Sequence, residues 1–215
     1  IFNLKKIKNI FNINLNIFIR TILLTFSFLW FTYLGTQIGE DYVAANAILI
    51  NLVFLSAFIL DAYAFSTEGI VGYSLGKKDL NLFKNIVKNS FILSSISGLI
   101  ISIIFFFTNN LVINLMSDID EIRELSSSYA VWLIILPVIS SFCYQFDGIF
   151  IGASQTKELR NAMIFSVFSY LLISILLIKF LFNTGIWISL CIFMILRAIS
   201  LFYYLDKIYL RFRKN

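Results

Sequence analysis

The sequence contains no histidine, a single proline and two cysteines in 215 residues. Without histidine there is no side chain that ordinarily titrates near neutral pH, and no imidazole to ligate a metal. The two cysteines, Cys143 and Cys191, sit inside apolar runs and read as small hydrophobic residues rather than as a disulfide. Charge is scarce too, at 13% of residues, where soluble domains carry about 25%. Phosphate-loop, dinucleotide, zinc and calcium-loop signatures are absent, so the sequence supports no enzyme chemistry and no cofactor. Its net charge of +5 is scattered over short loops and gives nucleic-acid binding no support. Strand-length alternation is also missing, which argues against a membrane β-barrel.

What remains is apolar. Sixty per cent of the residues are hydrophobic, 24 of them phenylalanine, more than one soluble core of this size could bury. Several windows of about 20 residues carry few or no charges, as a hydrocarbon layer about 30 Å thick requires. The chain therefore reads as an all-α polytopic membrane protein in a lipid bilayer. Six spans are expected at about residues 18–36, 43–73, 92–107, 126–152, 163–178 and 186–205. Ser126 to Ser128 offer N-cap oxygens for the fourth. Residues 1–18 read equally well as an interfacial helix or as a plain linker, residues 19–206 as one six-helix unit, and residues 207–215 as a basic tail. Residues 81–90 read as an amphipathic turn on the membrane surface.

The placement of the basic residues sets the orientation. Of the 17 lysines and arginines, Arg197 falls within a span, and Arg123 and Lys179 fall in one set of alternating loops. The other fourteen, Arg20 among them, lie at the ends and loops of the opposite side. This positive-inside pattern predicts cytoplasmic termini and six crossings.

Ionisable groups within spans are costly and mark candidate sites. Asp147 lies in the inner half of the fourth span, which also carries Pro137, a helix-bending residue. Its carboxylate would pair with a cation, coordinate an ion or take up a proton, or else bond to backbone near the interface. Asp61 and Glu68, seven residues apart, share one face of the second span and are candidates for lining a cavity. Arg197 is near the middle of the sixth span, either snorkelling to water or pairing with one of these acids. Tyr33, Thr36, Gln145 and Tyr170 are candidate substrate contacts, or polar links between helices. Gly148-x-x-x-Gly152 predicts a close approach of the fourth span to a neighbour.

The stretches Val43-Ala-Ala-Asn-Ala-Ile-Leu-Ile-Asn-Leu-Val, Leu60-Asp-Ala-Tyr-Ala-Phe-Ser-Thr-Glu-Gly-Ile-Val-Gly-Tyr-Ser-Leu-Gly76 and Phe146-Asp-Gly-Ile-Phe-Ile-Gly-Ala-Ser-Gln-Thr-Lys-Glu-Leu-Arg-Asn-Ala-Met163 resemble the multidrug and toxic-compound extrusion (MATE) family. The bacterial branch they most resemble is the one named for the DNA-damage-inducible protein F. The resemblance implies one lobe of a twelve-helix, pseudo-twofold transporter that exports amphipathic, often cationic, organic compounds by alternating access. The chain would be the C-terminal lobe, with residues 1–18 the connector from an N-terminal lobe that is the missing partner. Its first residue, Ile1 rather than Met, fits that expectation.

The resemblance also implies antiport driven by protons or sodium. Asp147 matches a carboxylate that in some members joins an acid of the first span of this lobe at a cation site. The span Thr21 to Thr36 carries no acid here, so protons are expected rather than sodium. Asp61 and Glu68 match acids that recur in this branch, and Lys157 and Arg160 match its basic turn after the fourth span. The implied location is the bacterial inner (plasma) membrane. Two alternatives are a lipid-linked saccharide flippase of the same superfamily, ranked low with Arg197 the one deep cation, and a non-transporting membrane scaffold.

Overall fold

A computed structural model describes residues 4–213. Residues 1–3 of the expected connector, and Lys214 and Asn215 of the expected tail, lie outside the described residues. The elements are α1 Leu4–Thr36, α2 Glu40–Lys77, α3 Leu80–Met116, α4 Asp120–Ser128, α5 Val131–Gly152 and α6 Thr156–Arg213. Helices are what apolar runs must form in lipid, because a helix satisfies its own backbone donors and acceptors. Five of these helices are long and apolar enough to cross a membrane.

The fifth of them, α6, is two limbs. Phe182 breaks it with φ 48° and ψ −130°. The Leu177 carbonyl lies against Gly185, which has no Cβ to obstruct it. In a straight helix the two would be about 12 Å apart, so the chain folds back at this point. With the two limbs of α6 counted separately, the six expected crossings are all present.

Three local expectations change. Residues 4–18 continue into the first span as one unbroken helix, and residues 81–90 are the opening turns of α3 rather than a separate surface turn. Ser126 to Ser128 do not cap the fourth span: they end the short α4, and α5 follows Ala130 without a side-chain cap. The cap that does form is Asp79, whose side chain accepts from the Leu82 amide at 2.9 Å at the start of α3. Such a cap contributes about 1 kcal/mol.

Successive helices joined by tight turns run antiparallel, so the bundle has a basic end and an acidic end. Lys77, Lys78, Lys84, Lys157, Arg160 and Arg211 lie at the first; Glu40, Asp41, Asp118, Asp120, Glu121 and Glu124 lie at the second. Helices α2 and α5 cross closely. A Cβ on Gly148 would collide with the Ala64 carbonyl and one on Gly152 with the Glu68 carbonyl, so the expected small-residue approach is made against α2. Two apolar clusters fill the interior. One includes Phe31, Leu49, Leu133, Tyr170 and Trp187; the other, toward the basic end, includes Val71, Phe83, Ile149, Phe150 and Leu201.

Candidate functional site

Charged side chains meet where the two apolar clusters adjoin. Asp147 projects from α5 between Tyr144 and Phe146, which belong to opposite clusters. Its Oδ2 accepts from Arg197 Nη2 on the second limb of α6 at 2.6 Å, and also from Arg20 Nη2 on α1. Counted at about 1.5 Å per residue from the acidic end of each helix, all three lie about 22–24 Å deep. Side-chain exposure is 1% for Arg197, 7% for Asp147 and 14% for Arg20, so water screens the cluster little. Arg197 also lies over the Phe193 ring at 5.5 Å and the Tyr144 ring at 5.9 Å. Asp147 Oδ1 and both guanidinium Nε atoms have no hydrogen-bond partner among the described residues.

Arg197 thus has the partner that the sequence could not choose, and it does not snorkel. Arg20 departs from expectation: counted among loop charges, it belongs to the buried cluster. Its contact with Asp147 joins residues 127 positions apart, which no local pattern encodes. The one available signal was its position, a turn inside an apolar run.

Arg20 and Asp147 open onto a cavity of about 230 Å³ between α1, α2 and α5. Asp61 and Glu68, both half-buried, line the same cavity from α2, with Phe28, Phe54, Phe58 and Phe65 supplying aromatic walls. Three of the four ionisable candidates, Asp61, Glu68 and Asp147, therefore face one space, and Arg197 stands directly behind Asp147. Among the described residues Asp61 makes no hydrogen bond or ion pair. The wall combines carboxylates with aromatic faces, chemistry that suits a cation carrying an apolar body.

The four expected substrate contacts are not brought to this cavity. Tyr33 is on the exposed face of α1, and Thr36 donates to the Tyr33 carbonyl at 2.7 Å. Gln145 is fully buried and accepts from Thr67 Oγ1 at 2.9 Å, linking α5 to α2. Tyr170 is buried against Phe193. Gln145 therefore links two helices, whereas the Tyr170 hydroxyl is buried with no hydrogen-bond partner among the described residues.

Two polar networks escaped the sequence reading. Near the break in α6, Asn46 and Asn183 exchange amide hydrogen bonds of 2.6 and 3.1 Å, and Trp187 Nε1 donates to Asn46 Oδ1 at 2.9 Å. At the basic end, Arg160 donates to Asn16 at 2.9 Å and Lys207 to Glu158 at 3.0 Å. Arg211 donates to the Ala153 carbonyl. With its amide nitrogen donating to Glu158 at 2.9 Å, Gln155 accepts from Arg211 Nε at 3.0 Å. The expected Lys157–Arg160 turn is thus tied to α1 through Arg160.

Comparison with known proteins gives a consistent result. The family model described as MatE matches residues 17–178. DNA damage-inducible protein F of Escherichia coli strain K12 is 32% identical over 189 residues, covering 88% of this chain and 41% of that protein. A crystal structure of MATE in complex with MaD3S superposes with a TM-score of 0.89 at 14% identity, covering 100% of this chain and 48% of that one. A MOP superfamily transporter from Pyrococcus furiosus gives a TM-score of 0.82 at 21% identity, covering 92% of this chain and 44% of its own. The structural likenesses are likenesses of fold. The chain spans less than half the length of each of these three proteins.

Proposed function

This chain belongs to the MatE family, and from that membership we propose that it acts as one lobe of a secondary transporter exporting amphipathic or cationic organic compounds. Its partner would be an N-terminal lobe of the same polypeptide, against which it rocks to expose a central site to each side in turn. In this reading the connector up to residue 18 is the opening stretch of α1 and the tail from residue 207 the last turns of α6, each bonded to the rest of the lobe. With the basic end cytoplasmic, both ends of the chain face the cytoplasm of a bacterial inner membrane.

The observation that carries the reading is the acidic, aromatic-walled cavity beside the Arg20–Asp147–Arg197 cluster. Charges at this depth are costly, and their retention beside a cavity points to an ion or substrate pathway. Proton coupling is favoured over sodium because α1 offers no carboxylate to complete an oxygen cage for the ion. Arg20 adds a second deep cation, which favours an anionic headgroup and so a saccharide-lipid flippase. Both guanidiniums are engaged by Asp147, however, while Asp61 and Glu68 leave the wall acidic, and cation export remains the better reading.

The test is efflux of a cationic dye from cells expressing the intact gene product, with Asp61→Asn and Asp147→Asn compared at matched abundance. Loss of flux in either variant supports a transport role for the cavity. Unchanged flux in both would leave the scaffold reading standing.

A further inference from the structure

The cluster places two guanidiniums on one carboxylate oxygen while Asp61 and Glu68, in the same cavity, have no ion pair among the described residues, Asp61 being the deeper of the two. We propose that Arg20 is a built-in counter-cation that closes Asp147 to free inorganic cations, leaving Asp61 as the exchangeable carboxylate of the cavity. This goes beyond the transport reading and is testable without measuring flux.

A hard cation is held by several oxygens arranged around it. At Asp147, Oδ2 is already occupied by Arg20 and Arg197, and Oδ1 is the oxygen left over. An ion at Oδ1 would stand within a few ångströms of two positive charges that burial leaves poorly screened. Tyr144 and Phe193 present their rings to the Arg197 guanidinium, at 5.9 and 5.5 Å, and so favour its place beside Asp147.

A guanidinium suits the post. It stays charged, is weakly hydrated and is the usual choice for buried ion pairs. Arg20 is moreover fixed to α1, so it cannot diffuse away as a bound ion would. The segment Phe11–Phe26 of α1 has no buried residue and is joined to the bundle by side-chain hydrogen bonds at Asn16 and Arg20. The pairing therefore also positions α1 as a wall of the cavity.

Asp61 differs on each point. It is half-buried on α2, faces the same space, and has no ion pair or hydrogen bond among the described residues. The charged and titratable groups around this space are Glu68 on α2, Arg20 on α1, Asp147 and Tyr144 on α5, and Arg197 behind them on α6. With Asp147 neutralised by its two arginines, Asp61 is the deep acid open to a proton or to the charge of an organic cation.

Two measurements on the purified intact protein decide the matter. The first is thermal unfolding in sodium chloride against potassium chloride at equal ionic strength, since an ion that binds the folded state raises its midpoint. Wild type and Arg20→Lys should show no sodium-specific shift; Arg20→Gln should gain one, and Arg20→Gln with Asp147→Asn should lose it. The second is modification of the wild type by a hydrophobic carbodiimide, mapped by mass spectrometry, which should favour Asp61 over Asp147. A sodium shift in wild type that Asp147→Asn removes would overturn the proposal, as would a folded Arg20→Gln with no sodium shift. Preferential carbodiimide labelling of Asp147 overturns it too, and this decides the question if Arg20→Gln does not fold.

Discussion

Replacing Asp147 by Asn is the most informative single change in this chain, because it preserves shape while removing the carboxylate that Arg20 and Arg197 share. Breaking a buried ion pair by deleting one member costs about 3–5 kcal/mol, since the remaining charge is stranded. Here two charges are stranded at once. At an effective dielectric of about 20, two guanidiniums about 5 Å apart repel by about 3 kcal/mol. Asp147→Asn should therefore lie at or above the top of that range.

The reverse changes are milder. Arg197→Met leaves Asp147 paired with Arg20, and should cost about 2–3 kcal/mol, mainly one lost charge-assisted bond. Arg20→Gln removes the wetter partner, 14% exposed against 1% for Arg197, and should cost about 1–2 kcal/mol. The assay is denaturant unfolding of the purified intact protein in one detergent, with the Asp147→Asn, Arg197→Met double variant closing the cycle. The double variant should be more stable than Asp147→Asn alone, because a stranded cation has been removed. Equal costs for the three single changes, or a double variant no better than Asp147→Asn, would refute the shared-carboxylate account.

Gly148→Ala and Gly152→Ala would push a methyl group into the Ala64 and Glu68 carbonyls and should each cost about 1–3 kcal/mol. Gly69→Ala, with open space around it, should be neutral or slightly stabilising in the same unfolding assay. Asn46→Ala strands both Asn183 and the Trp187 indole donor and should lower stability by about 2–4 kcal/mol, with strong non-additivity against Asn183→Ala. Replacing Arg20, Asp147 and Arg197 together by Met, Leu and Met should leave the protein folded and near wild-type stability. Dye efflux by that triple variant should nevertheless be lost, and full efflux at matched abundance would refute a functional role for the charges.

Much of the fold was legible because the bilayer imposes it. Long apolar runs must be helices, and the alternation of basic and acidic connections orders them without any knowledge of contacts. A close approach by α5 was legible for a related reason, because two glycines one turn apart have little other use in an apolar helix, but that the neighbour is α2 was not. The break in α6 was partly so. The gap between the expected spans 163–178 and 186–205, with Lys179 in it, announced a turn, but the residue that makes it is Phe182, with φ 48°. A phenylalanine gives no sign of that conformation in sequence. It is held there by surroundings that include the Asn46–Asn183 pair, whose members are 137 residues apart.

Asp61, Glu68, Asp147 and Arg197 stood out as candidates in the sequence, whereas Arg20 and the pairing did not, and the reason is electrostatic. A buried charge declares itself because hydrocarbon tolerates it poorly, so Asp61, Asp147 and Arg197 stand out against their flanking residues. What a charge is paired with depends on which helix ends meet at one depth, and that is set by lengths and tilts summed over the whole bundle. Arg20 illustrates the difficulty. One turn closer to the basic end it would be an ordinary orienting residue, and Lys5, Lys6 and Lys8 upstream encourage that reading. Its guanidinium reaches Asp147 because α1 runs unbroken from Leu4 and brings residue 20 to the depth of Asp147 and Arg197. A deep cation is thus recognisable in sequence by its distance from the opposite, acidic end of its helix, not by its distance from the nearest basic loop.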